Sequence, residues 1–67
     1  MKEFNKRLKD ALIWKGITQT KLAEILGIHK TAVSEWIKGK TFPTLEKFYK
    51  ICLILDETPN YFLGFKD

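Results

Sequence analysis

A single glycine, Gly27, separates two short stretches in which apolar residues recur at helical spacing. In the first stretch Leu22 and Leu26 lie one turn apart and therefore share a face. Gly27 can adopt the left-handed backbone conformation without a Cβ penalty, so it can end a helix in a tight turn. The spacing predicts one helix over residues 19–26 and a second over residues 30–38, with Gly27 in the turn between them.

The residues at the ends of these two helices are of types that commonly start and stop helices. Thr18 is suited to cap the first helix, and Ile17 before it can staple onto Leu22. The second helix has an apolar inner stripe followed by a closing glycine, namely Val33, Trp36, Ile37 and Gly39. Two helices joined by a turn of about three to four residues that contains glycine form a helix-turn-helix. We place the core of this motif at residues 18–39.

The motif and its flanks also carry a resemblance to a known family. The residues that carry it are Leu22, Ala23, Leu26, Gly27, Ile28, Val33 and Trp36, with R-L-K before them and G-K-x-x-P-T-L-E after them. In this order and spacing they resemble the Cro/phage-repressor (XRE-like) family of DNA-binding domains, over residues 6–64. The resemblance implies a compact all-α, five-helix, lambda-repressor-like domain that binds double-stranded DNA, with helices 2 and 3 as the helix-turn-helix.

Three further helices are predicted around the motif, over residues 2–15, 45–55 and 59–63, so that residues 1–67 form a single domain. We expect other helices to cover the wide apolar face of the fourth helix, which would make it the central packing element. This face comprises Leu45, Phe48, Tyr49, Cys52 and Leu55, widened by Ile51 and Leu53. We also expect Trp14 to be half-buried and Phe42 to lie under the domain.

Composition narrows the range of functions. The chain has 45% hydrophobic residues and a formal net charge of +4, which favour a globular protein with a polyanionic partner. Its one cysteine, Cys52, excludes an internal disulfide and, beside the single histidine His29, offers no metal-ligand cluster. We expect a buried Cys52, no cofactor or small-molecule ligand, no membrane span and a cytoplasmic location. Enzymatic activity is not expected, because the sequence offers no credible catalytic constellation.

The outward face of the third helix carries side chains suited to reading DNA bases. The inward positions are apolar, so the outward set is Lys30, Thr31, Ser34 and Glu35. Lys30 can donate to guanine N7 and O6, and Glu35 can accept from cytosine N4. Thr31 can contact a thymine methyl group or form a hydrogen bond. The family resemblance implies the same four positions as base contacts.

A second set of residues is expected to contact DNA phosphates, because helix N-termini present unpaired N–H groups that suit anions. This set comprises Gln19, Thr18, His29, Lys38, Lys40, Thr41 and Thr44. The resemblance implies a positioning role for Gln19, against the alternative of a polar surface residue. For His29 we expect a partly exposed helix cap first and a phosphate contact second. For Lys38 and Lys40, simple solvation is an equal alternative.

At two positions the sequence departs from the family. Many members pair an arginine in the first helix with a glutamate near the end of the third, whereas this chain has Leu12 and Ile37 at those places. Replacing both charges together is physically coherent, because a buried ion pair can be exchanged for hydrophobic packing at little cost. We therefore expect Leu12 to contact Ile37.

The predicted function is a sequence-specific DNA-binding transcriptional regulator, of the repressor type found in phages or other mobile elements. Related domains usually act as dimers, so we expect a homodimer on a palindromic operator. Tyr61, Phe62 and Phe65 can supply the dimer interface or complete the core, and for Phe62 we favour the core. The alternative function is a protein-interaction module, or an antitoxin-like protein, that docks a partner with the same fold. The outward face of the third helix favours DNA.

Overall fold

The computed structural model describes residues 2–65, and these form five helices and no strand. The helices are α1 (Lys2–Lys15), α2 (Gln19–Leu26), α3 (Lys30–Lys38), α4 (Leu45–Leu55) and α5 (Pro59–Leu63). Their bounds agree with those that the sequence predicts. The all-α, five-helix fold class is therefore confirmed.

Threonine hydroxyls fix where three of the helices begin. The hydroxyl oxygens of Thr18, Thr44 and Thr58 accept backbone N–H groups in the first turns of α2, α4 and α5, at 3.0, 3.3 and 3.0 Å. Each bond satisfies an N–H group that has no partner within the helix. A cap of this kind typically contributes about 0.5–2 kcal/mol to stability.

The helix that contacts most of the others is α1. It contacts α3, α4 and α5, and its buried side chains are Phe4, Leu8, Ala11 and Leu12. The Phe4 ring centroid lies 5.8 Å from that of Phe48 on α4 and 6.0 Å from that of Phe62 on α5. The expectation that α4 would be the central element was wrong. One apolar face of α1 meets three helices, which gives α1 that position.

The buried face of α4 differs from the predicted one. Part of the predicted face is buried, namely Phe48, Cys52 and Leu55. However, Leu45, Tyr49 and Leu53 are 81%, 62% and 63% exposed, whereas Ile51 is fully buried. Apolar residues occupy almost every direction around this helix, so their periodicity does not decide which side packs inward. The aromatic contacts with α1 and α5 decide it, and they turn Leu45 and Tyr49 towards water.

Trp14 is 67% exposed, so the expected half-burial was wrong. Its ring centroid lies 6.2 Å from that of Tyr61 on α5, and the guanidinium of Arg7 lies 5.0 Å from the Tyr61 centroid. A hydrogen bond to Glu3 at 2.9 Å raises the pKa of Arg7 and helps to hold the guanidinium beside the ring. Because α5 has five residues, it is too short to cover the whole Trp14 side chain. The Tyr61 ring of α5 lies beside Trp14, and much of the indole remains in contact with water.

The remaining aromatic residues and the cysteine have distinct environments. Phe42 is 45% exposed, and its ring lies 4.7 Å from that of Phe4, so it lies at the edge of the core rather than under the domain. Phe62 is fully buried, which confirms its place in the core, whereas Phe65 is 67% exposed. Cys52 is buried as expected, and burial raises the pKa of its thiol. Its thiol is therefore protonated at neutral pH and packs as a small apolar group.

Leu12 and Ile37 line the same cavity, between the end of α1, the start of α2 and the end of α3. Leu12 is 4% exposed, and Ile37 is partly buried against the core. Ile17 lines the same cavity, so the surroundings of Leu12 are largely apolar. This arrangement supports the expected packing of Leu12 with Ile37.

Leu12→Arg should therefore lower the free energy of unfolding by about 3–5 kcal/mol, because it buries a charge that has no partner. The measurement is thermal or urea unfolding followed by circular dichroism. Ile13→Arg is the matched control: Ile13 is 67% exposed, so the same charge there should change stability by less than about 0.5 kcal/mol. Adding Ile37→Glu to Leu12→Arg should recover part of the loss. An unchanged melting temperature for Leu12→Arg would contradict this packing.

Candidate nucleic-acid interface

The turn between α2 and α3 depends on Gly27, whose φ is 71°. The N–H of Gly27 donates to the carbonyl oxygen of Glu24 at 3.2 Å, and the N–H of Ile28 donates to that of Ala23 at 3.0 Å. A side chain at position 27 would strain this left-handed backbone by about 1–2 kcal/mol. This tight turn allows α3 to pack closely against α2.

An imidazole caps the start of α3. The Nδ1 atom of His29 accepts the backbone N–H of Thr31 at 3.2 Å and lies 2.8 Å from the Thr31 hydroxyl oxygen. Because a backbone N–H can only donate, Nδ1 is an acceptor, and the neutral ring carries its proton on Nε2. The expected capping role of His29 is confirmed. The exposed ring retains its Nε2–H group as a hydrogen-bond donor.

The end of α3 is held against α1. It ends at Gly39, where φ is 80°, and a Cβ at this position would collide with the side-chain amide nitrogen of Asn5. The left-handed backbone therefore favours glycine here, and any larger residue would also have to displace the Asn5 amide. Together with the His29 cap, this contact fixes both ends of α3 and leaves its outward face uncovered.

A groove runs between the first turn of α2 and the outward face of α3. The residues that line it are Gln19, Thr20, Lys30, Thr31, Ser34 and Lys38. Five of these six are among the site residues that the sequence predicts. Three of the five predicted residues lie on the first two turns of α3, the part of a recognition helix that enters the major groove. The structure thus brings side chains from both motif helices to one surface.

Thr20 is the residue in this groove that the sequence analysis missed. It lies in the first turn of α2, directly after Gln19, and it is exposed. The sequence did contain a clue to its role, because Thr20 lies two residues after the Thr18 cap and next to Gln19, which was already assigned to the site. A hydroxyl at this position can donate to the same phosphate as the Gln19 amide.

Other predicted site residues lie outside the groove. Glu35 is half-buried and does not line it. Lys40, Thr41 and Thr44 are exposed beyond the end of α3 and form a separate edge. Thr18 lies next to Gln19 and lines the neighbouring cavity with it. Its hydroxyl oxygen already accepts a backbone N–H, so its own proton remains available to a further acceptor.

The charge of the groove is positive. Lys30 and Lys38 contribute two ammonium groups, and no carboxylate belongs to its lining. Lys21 of α2, by contrast, is paired with Glu24 at 3.3 Å. Within residues 2–65, neither groove lysine forms a salt bridge. Both charges can therefore meet an anionic partner without first losing a protein carboxylate.

Within the same described range, no group of three or more metal-ligating side chains comes together. No helix in that range is both long enough and apolar enough to span a bilayer.

Replacing the imidazole cap tests how α3 is held in place. His29→Ala removes the acceptor for the Thr31 N–H and should lower stability by about 0.5–2 kcal/mol, measured by urea unfolding. His29→Ser is the control, because a serine hydroxyl can accept the same N–H and should retain most of the stability. Equal stabilities of the two variants would show that the cap contributes nothing.

Comparison with known proteins agrees with this geometry. A family model described as helix-turn-helix matches residues 8–62. The chain is also similar to the HTH-type transcriptional activator BcrR of Enterococcus faecalis, with 37% identity over 57 residues. The match covers 76% of this chain, which spans about 28% of the length of that relative. The family match includes the whole motif and extends through α4 to α5. The chain therefore belongs to the helix-turn-helix family of DNA-binding domains, in the Cro/repressor-like (XRE-type) group.

Proposed function

We propose that this chain binds double-stranded DNA in a sequence-specific manner and regulates transcription, with α3 in the major groove. The main observation in support of this proposal is the groove that is lined by Gln19 and Thr20 of α2 together with the outward side chains of α3. The major groove of B-DNA is about 12 Å wide and admits an α-helix. The polar side chains and positive charge of this surface suit both base edges and phosphates.

We assign base contacts to Lys30, Thr31, Ser34 and Glu35. The first three line the groove, and Glu35 follows on the same helix. The Thr31 hydroxyl is already hydrogen-bonded to His29, so its methyl group is the part best placed for a thymine methyl. Glu35 is the acceptor in the set and favours a cytosine N4 amino group.

Phosphate contacts are assigned to the residues around this reading surface, namely Gln19, Thr18, His29, Lys38, Lys40, Thr41 and Thr44, to which we add Thr20. Gln19, Thr18 and Thr20 supply donors at the start of α2, where the helix dipole also favours an anion. The His29 Nε2–H group is a donor at the start of α3. Contacts of this kind fix the register of the protein on DNA, whereas base contacts specify the sequence.

We further propose that two copies act as a homodimer on a palindromic operator. A single module buries only about 600–1,000 Å² of protein surface on DNA, which is small for a specific complex. Two copies related by a twofold axis place their recognition helices about 34 Å apart, on successive turns of one face of DNA. The combined contacts then cover two half-sites.

Selection from a randomised duplex pool tests sequence-specific binding. Purified protein should enrich a motif with twofold symmetry, recovered by sequencing the bound fraction. Lys30→Ala should relax the preference at one position in each half-site, because it removes a direct base contact worth about 1–3 kcal/mol. The expected weakening of the best site is about 5- to 150-fold, measured by titration at one fixed salt concentration.

Lys2→Ala is the control for charge. Lys2 is exposed at the start of α1 and outside the groove, so this variant removes the same charge and should leave the motif unchanged. An identical motif for the unaltered chain and Lys30→Ala would refute the assignment of Lys30. No enrichment by the unaltered chain, with only salt-sensitive retention of DNA, would refute sequence-specific binding itself.

Repression is the regulatory sign that we propose, as in regulators of phages and other mobile elements. A domain bound over a promoter can exclude polymerase by occupying its site, whereas activation also needs a surface that contacts the transcription machinery. The similar protein BcrR is described as an activator, so the sign has to be measured.

A reporter assay separates the two signs. The selected site is placed either across a promoter or upstream of it, and expression is measured with and without the protein. We expect lower expression from the overlapping site and no change from the upstream one. Higher expression from the upstream site would establish activation instead.

A protein-interaction or antitoxin-like role is the alternative, and one observation favours a protein contact. Three large apolar side chains of α4 are exposed, namely Leu45, Tyr49 and Leu53. They lie on a different helix from the groove, so a protein contact there is compatible with DNA binding by α3. Failure of the selection experiment would make this alternative the leading one.

A further inference from the structure

The exposed apolar side chains of α4 form a continuous stripe. Leu45, Tyr49 and Leu53 are 81%, 62% and 63% exposed, and each lies four residues after the one before it. With 3.6 residues per turn, neighbours in this series differ in direction by about 40°. We call these three residues the α4 stripe. The core-facing side of the same helix is already buried, so the domain itself does not use the stripe.

The C-terminal half of the α4 stripe borders a groove. Its lining includes Tyr49, Cys52, Leu53 and Asp56 of α4 and its cap, with Glu57, Thr58 and Pro59 on the far side. The first four have the spacing i, i+3, i+4 and i+7, which is the set that forms a hole for a side chain of a facing helix. Leu45, at the opposite end of the stripe, is the most exposed large apolar residue within residues 2–65 and can serve as the knob.

We propose that a second copy of this chain docks on the α4 stripe, with the two α4 helices antiparallel about a twofold axis near Tyr49. In this arrangement position 45 of one copy faces position 53 of the other. Leu45 of each copy then inserts into the groove of the other, so the interface is self-complementary. The dimer contact lies on α4 and not on Phe62, which is fully buried in the core.

Charges beside the α4 stripe select the antiparallel arrangement. Glu46 and Lys50 are both exposed and lie one turn apart along the same flank. In an antiparallel pair, Glu46 of one copy lies within a turn of Lys50 of the other, and this happens twice. A parallel pair would instead place this flank of the two copies on opposite sides of the interface, so no pair between Glu46 and Lys50 of different copies would form.

The size of the α4 stripe indicates when the pair forms. Three side chains bury much less than the roughly 800 Å² per partner of a stable interface. The contact is therefore weak between free copies and becomes populated when two copies occupy neighbouring half-sites, because DNA then holds them at a high effective concentration. In this respect the inference rests on the proposed function.

Cysteine cross-linking tests the arrangement directly, in a Cys52→Ala background, with and without the selected duplex. Tyr49→Cys places two thiols across the twofold axis and should form a covalent dimer when copper phenanthroline is added as oxidant. Leu45→Cys alone faces position 53 and should remain monomeric, whereas Leu45→Cys combined with Leu53→Cys should cross-link. Ile13→Cys, at a 67% exposed position on α1, is the control for random collision.

Two outcomes would overturn the proposed pairing. One is a Tyr49→Cys chain that cross-links no faster than Ile13→Cys, even on DNA. The other is a Leu45→Cys chain that dimerises as fast as Tyr49→Cys, because this would exclude the antiparallel register.

A comparison of binding to a DNA duplex with one half-site and to a duplex with two tests the α4 interface separately from sequence-specific DNA binding. Leu53→Gln, at an exposed position, should bind a single half-site as the unaltered chain does. It should lose the cooperative gain on two half-sites, which we expect to be about 5- to 150-fold in the unaltered chain. Unchanged cooperativity in Leu53→Gln would overturn the α4 interface. Failure of the unaltered chain to prefer its half-site would overturn the proposed function instead.

Discussion

The packing of Phe4 joins α1 to α4 and α5, and so brings the first and last helices of the fold together. Phe4 is fully buried, and its ring centroid lies 4.7 Å from that of Phe42, 5.8 Å from Phe48 and 6.0 Å from Phe62. Burying an aromatic side chain of this size stabilises a fold by about 1.5–3 kcal/mol, and each aromatic pair adds about 0.5–1.5 kcal/mol. A domain this small has few such contacts, so each is a large part of its stability.

The helix that carries Phe4 also positions the DNA-facing surface. Leu12 of α1 lines a cavity with Ile37 of α3, and Asn5 fills the space that a side chain at Gly39 would need. The start of α3 is fixed separately by His29. All of these contacts use the inner face or the ends of α3, so its outward face remains available. A binding site on a helix held in this way is more rigid than one on a loop.

The bounds of all five helices could be predicted, because local chemistry sets most of them. Threonine hydroxyls cap the starts of α2, α4 and α5, and glycines such as Gly27 follow four of the helices in the left-handed conformation. The inward side of α4 could not be predicted. Tyr49 and Ile51 are equally compatible with burial by periodicity, and contacts between distant parts of the chain decide between them. The place of Thr20 in the groove likewise depends on how α2 crosses α3, which residue spacing alone does not encode.

Exposure alone does not mark an interface in a domain of this size. Ile13 and Trp14 are as exposed as Leu53, and a small globule cannot cover all of its large side chains. The α4 stripe differs because its members follow one another at helical spacing and border a groove that fits one of them. It also lies on another helix than the residues assigned to base reading. Base preference and cooperation between copies would then rest on separate side chains, so either property can change without altering the other.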